Sequence, residues 1–149
     1  MEMQSCQVSR RLHEEHLATI ALWARVEASL AAGRLDAPLL RSAAAALAEE
    51  LARHFEFEEK ALFPRLADAG EGDLAELLRE EHESIRAAAR QFIAAVGEEP
   101  VGARARTLGL EIAERLPSHA RKEEMSMLPA LDSLLDESTD AELIMGYVA

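Results

Sequence analysis

A string of the form H-x-x-x-E-E-x-x-x-x-P occurs twice in this chain, and that repetition constrains the fold more than any other feature. It runs first from His54 through Glu58 and Glu59 to Pro64, and again from His119 through Glu123 and Glu124 to Pro129. A GluGluHis triplet precedes each copy, at 14–16 and at 80–82. The offsets, 66 residues between His16 and His82 and 65 between His54 and His119, imply two related helix hairpins in tandem.

Punctuation residues divide the chain to match. A first helical pattern covers about Val8 to Ala32 and stops at Gly33, placed as a C′ glycine. Asp36 is the predicted cap of a second helix, with Pro38 in its first turn, running to about Pro64 or a turn beyond. After the break at 69–73, Asp73 is the predicted cap of a third helix ending at Val96 and Gly97. A fourth follows Pro100 and reaches about Leu128; Pro117 inside it predicts a kink or a break. Thr139 and Glu142 form a capping-box pattern for a short closing helix.

Each long pattern carries an apolar stripe at spacings of three and four, and every stripe contains a histidine: His16, His54, His82 and His119. Short connections between helices of similar length predict an all-α, up-down-up-down four-helix bundle with a short C-terminal helix, a single domain over 1–149. Aromatic residues are only 4% of the chain while Ala and Leu are abundant, which argues against a sandwich or barrel.

Helical arithmetic turns the repeat into chemistry. At about 100° per residue, Glu58 lies about 40° from His54 and one turn away, and Glu123 stands so to His119. Glu59 and Glu124 fall about 140° from their histidines and are predicted to face solvent. A single histidine on an apolar face is ordinarily a hydrogen-bonded core residue, and one i,i+4 polar pair means little. Four inward histidines with two inward carboxylates are different, because burying two carboxylates without a cation costs several kcal/mol each. Imidazole plus carboxylate suits iron, manganese or zinc, and one Glu can bridge two metals through its two oxygens. The E-x-x-H pattern of ferritin-like sites and the H-E-x-x-H of zincins are both absent.

On these residues the chain resembles the hemerythrin-like, HHE cation-binding family. The order His16, His54-x-x-x-Glu58, His82, His119-x-x-x-Glu123 carries the resemblance, with the LeuPhePro at 62–64 also typical of it. The likeness covers about residues 10 to 130. It implies that His16, His54, His82 and His119, with Glu58 and Glu123 as bridges, hold two non-haem iron ions joined by an oxo or hydroxo bridge. Oxygen-carrying hemerythrins have another histidine where this chain has Arg86, and they place the last carboxylate five residues after its histidine, at Glu124 in this numbering. The set of four His and two Glu is similar instead to that of proteins that repair iron centres after nitrosative stress. Those proteins carry a cysteine-containing N-terminal module for which Cys6 is a poor substitute.

The expected role is to bind a small diatomic or oxidant (O2, NO or peroxide), or to pass iron to an accepting protein, under oxidative or nitrosative stress. The alternatives are a di-metal enzyme, oxygen-activating or hydrolytic, and a metal-free helical interaction domain. A classical enzyme is the weaker expectation, since no loop is long enough to build a substrate pocket. A net charge of −12 argues against nucleic acid and anionic membrane as partners. One cysteine, no apolar leader and no long apolar run predict a cytoplasmic protein. Of the remaining polar residues, His13 is placed at the helix edge in solvent, the alternative being a fifth ligand or a donor to one, and Arg86 either pairs with an inward carboxylate or runs out to water. Trp23 is placed in the core.

Overall fold

The computed structural model of the chain describes residues 5–149, and among these there is no strand. α1 (Gln7–Ala31) ends with Gly33 at φ 79°, the left-handed conformation that its lack of a Cβ permits. α2 (Ala37–Glu50) opens on Asp36, whose side chain accepts from the Leu39 amide at 3.1 Å. The same rod continues through two wider π-helical segments, Leu51–Phe55 and Glu58–Leu62, into α3 (Phe63–Asp68). Pro64 lacks an amide and collides with the carbonyl four residues back in a regular α-helix, so the wider turn before it relieves that conflict.

α4 (Gly72–Val96) begins one residue before Asp73, which lies inside the first turn and is not its cap; Glu71 takes that place without a side-chain bond. Gly70, at φ 90°, makes the tight reversal that brings the helix in early. α5 (Ala103–Met125) passes through Pro117 without a break. The interruption comes instead at Ser126, before α6 (Met127–Leu134), because Pro129 cannot continue a helix across the Met125 carbonyl. The fourth helix therefore ends short of the expected Leu128. α7 (Glu137–Val148) is capped by Asp136, which accepts from the Thr139 amide at 2.8 Å, so the expected Thr139 capping box does not form. Two acceptors compete there, and the one that starts the helix earlier wins.

α1 packs on α5 and α2, and α4 packs on α5 and on the α2–α3 rod, which closes a four-helix bundle. No described helix is long and apolar enough to cross a membrane. Two apolar clusters fill the bundle. One is built around Trp23, Leu30, Phe92 and Leu116 and the other around Leu12, Phe63, Leu78 and Leu131. The inward histidines and carboxylates lie in the sequence between these two sets.

α7 also closes the start of α1. Asp140, 5% exposed, accepts from the amides of Gln7 and Val8 at 2.9 Å each, satisfying two N–H groups that no helical carbonyl can reach. Asp140→Ala is expected to strand both donors at a cost of about 2 kcal/mol. For a chain of this size, thermal melts should show a fall of about 4–8 °C.

Candidate metal centre

Six buried side chains meet at one level of the bundle. α1 supplies His16; the α2–α3 rod supplies His54 and Glu58; α4 supplies His82; α5 supplies His119 and Glu123. Glu58, His82 and Glu123 are 0% exposed. The i,i+4 pairs fall as helical phase predicts, with His54 Nε2 at 3.0 Å from Glu58 Oε2 and His119 Nε2 at 3.1 Å from Glu123 Oε2. The first of these pairs spans the two π-helical segments.

The donor atoms sort into two overlapping groups. One contains His16, His54, Glu58 and Glu123, the other Glu58, His82, His119 and Glu123, and within each the donor atoms lie within 4.8 Å of one another. Each carboxylate turns one oxygen to each group. Glu123 Oε1 is 2.8 Å from His16 Nε2 and 3.8 Å from His54 Nε2, while its Oε2 faces His82 at 3.7 Å and His119 at 3.1 Å. Glu58 Oε2 faces His54 and its Oε1 faces His82 at 3.1 Å. Four of these buried atoms have no hydrogen-bond partner: Glu58 Oε1, His82 Nε2, His119 Nε2 and Glu123 Oε2. Proteins almost never leave such groups unsatisfied, so their convergence fits a cation. The donor set, two nitrogens and two carboxylate oxygens per group, is of the kind that would hold a transition-metal ion.

Electrostatics agree. Burial disfavours charge on an imidazole, yet the facing carboxylates of Glu123 and Glu58 raise His82 to about 9. Glu123 is buried too, which opposes its ionisation, and His119, His16 and His54 still hold it well below the usual carboxylate range. Without metal the centre keeps protons on the nitrogens; a cation replaces them.

The outer ring nitrogens reveal a second tier. Glu15 on α1 accepts from His54 Nδ1 at 2.9 Å. Glu59, on the rod, accepts from His82 Nδ1 at 2.6 Å, and Glu81 on α4 accepts from His119 Nδ1 at 2.7 Å. Glu124 on α5 accepts from His16 Nδ1 at 2.6 Å and closes the circuit. Each helix thus orients the histidine of the next. With the Nδ1 proton donated outward, every Nε2 lone pair faces the centre, and the ring becomes a stronger donor.

Two sequence expectations are corrected here. Glu59 and Glu124 do not face solvent; their side chains are 17% and 25% exposed and hold His82 and His16. A residue about 140° from the centre on its own helix lies on the flank beside the next helix, where that neighbour's Nδ1 emerges. In the π-helical segment the smaller turn per residue swings Glu59 further inward still. His13 is half exposed as expected, but its Nδ1 also meets Glu124 Oε1 at 2.5 Å. Arg86 pairs with Glu59 at 2.7 Å and with Glu83 at 3.1 Å, so it takes a carboxylate of the outer tier and no place in the centre.

Sequence reasoning overlooked the outer tier although its signal was present, since both halves repeat not one Glu but two beside each ligand position. Aromatic packing adds a further constraint. The Phe55 ring stacks on His82 with centroids 3.7 Å apart, and Phe63 lies 5.2 Å from the same ring. Phe55 is in the first π-helical segment, next to His54.

The hemerythrin HHE cation-binding domain family matches this chain over residues 7–131. No curated protein matches it.

Proposed function

Because the chain belongs to the hemerythrin HHE cation-binding family, we propose that it holds two iron ions through His16, His54, His82 and His119, bridged by Glu58 and Glu123, and uses them to bind a small diatomic or oxidant. The observation that carries this reading is the pair of four-donor groups sharing both carboxylates. Iron prefers six donors, so each group leaves positions for a solvent bridge and an exogenous ligand. When bound, the metal pair supplies redox and Lewis-acid chemistry. The chain's own part is to fix the donors, keep the imidazoles neutral with outward protons, and surround the centre with two apolar clusters.

Arg86 supports an open site. It is permanently protonated, carries only donors and is engaged by Glu59, so the position of the oxygen carriers' extra histidine adds no ligand. On this reading the reduced protein binds nitric oxide and autoxidises in air, which favours a role under oxidative or nitrosative stress over oxygen storage. A cytoplasmic setting suits iron handling by a chain with one cysteine.

Protein loaded anaerobically with ferrous iron and freed of excess is expected to retain close to two irons per chain and to change its visible spectrum on addition of nitric oxide. Retention of less than about half an equivalent of any transition metal would falsify the reading. A metal pair with no response to nitric oxide would remove the diatomic role and leave iron handling.

A further inference from the structure

α7 lies beyond the residues that match the family, yet it reaches the outer tier. The Tyr147 hydroxyl donates to Glu15 Oε1 at 2.5 Å, and that same oxygen accepts from His54 Nδ1 at 2.9 Å. Tyr147 is 9% exposed. Its ring stacks on Phe57 with centroids 4.3 Å apart, and the Arg53 guanidinium stands over it at 5.4 Å while bonding to its carbonyl at 3.0 Å. With Asp140 on the amides of α1, the helix is fastened at two points about two turns apart. The phenol is therefore placed by its surroundings and does not merely happen to reach Glu15.

The four outer carboxylates differ in what holds them. Glu59 is held by Arg86 and Glu81 by Lys122. Glu124 is shared with His13. Glu15 takes Arg11 on Oε2 at 2.9 Å, while a neutral phenol shares Oε1 with the histidine. Burial pushes Glu15 up, but hydrogen bonds from His54, Tyr147 and Arg11 together hold it at about 2. A carboxylate whose lone pairs are shared is a weaker acceptor for each donor, so the phenol limits the pull of Glu15 on His54.

We propose that Tyr147 is a positioning residue of the metal centre, acting through Glu15 to set the donor strength of His54 and so to distinguish the metal held by His16 and His54 from its neighbour. The inference rests on the paired-metal reading above. Loss of the hydroxyl leaves Oε1 to His54 alone. The Nδ1–H bond then strengthens, the ring gains imidazolate character, and the oxidised metal is favoured over the reduced one at that position.

Tyr147→Phe keeps the ring on Phe57 and removes only the hydroxyl. In histidine-labelled protein, the Nδ1 proton of His54 is expected to move downfield while those of His82 and His119 stay in place, with or without metal. In iron-loaded protein, the ratio of ferric to ferrous affinity should rise about threefold to tenfold at one of the two positions, below the effect of removing a direct partner. The melting temperature of the metal-free variant should stay within a few degrees of the parent, whereas Tyr147→Leu, which also removes the stack, should lower it. An unmoved His54 proton beside a normal metal pair would overturn the role of Tyr147 alone. Equal movement of all the histidine signals with a large loss of stability would reduce Tyr147 to a packing residue. Failure of the parent chain to bind a metal pair would overturn the reading beneath both.

Discussion

Glu123→Ala is expected to abolish metal binding, leaving fewer than about half an equivalent per chain where the parent is expected to hold two. Glu123 lies within 4 Å of all four histidines of the candidate centre, and it turns one oxygen to each donor group. Its removal takes one anionic donor from each position at once and leaves four imidazoles facing a single carboxylate. Glu58→Ala should act in the same sense, since Glu58 also belongs to both groups. Glu59→Ala is expected to behave differently. The donors survive, but His82 loses the acceptor that fixes its ring, and Arg86 loses the carboxylate that accepts from two of its nitrogens. Metal affinity should fall about 10–100-fold, the usual cost of removing such a partner. Metal analysis after desalting separates the first two variants from the third, and competition with a chelator measures the third. A Glu123→Ala protein that still retained two metals would show that the shared carboxylate is not a ligand. A Glu59→Ala protein with parental affinity would restore the solvent-facing role that helical arithmetic assigned it.

The second large effect is thermal and depends on pH. His82 is raised to about 9 in the metal-free fold, from an ordinary value near 6.5. A histidine raised in this way stabilises the folded state fully below about 6.5, and that contribution is lost as the pH climbs through about 9. Metal binding runs the other way, because a cation needs the deprotonated nitrogen and competes with the proton for it. The gap in melting temperature between metal-loaded and chelator-treated protein is therefore expected to widen from about pH 6.5 to about pH 9. Paired melts across that window supply the test. A constant or narrowing gap would mean that metal and proton do not contend for the same nitrogens.

The inward positions of the candidate centre could be read from the sequence because they obey one rule, that inward residues recur every three to four places along a helix. His16, His54, Glu58, His82, His119 and Glu123 all satisfy it, and the structure brings them together. Glu15, Glu59, Glu81 and Glu124 escaped because the same rule treats each helix as an isolated cylinder with an inside and an outside. Their partners stand on the adjacent helix, at an angle that depends on how the helices are arranged around one another. The π-helical turns were hidden for a similar reason: Pro64 marks a conflict, but not which carbonyl gives way. The end of α5 was misplaced even though its cause, Pro129, stands in the repeat itself. Tyr147 could not have been found by spacing at all, since 132 residues separate it from Glu15.

The circuit of outer carboxylates has a consequence for assembly. Since every histidine is steered by a residue borrowed from the preceding helix, with α1 borrowing from α5, no helical hairpin can aim its own pair of nitrogens. Detaching one helix misdirects the histidine it steers and removes the one it carries. The four histidines thus reach their orientation together, with completion of the bundle.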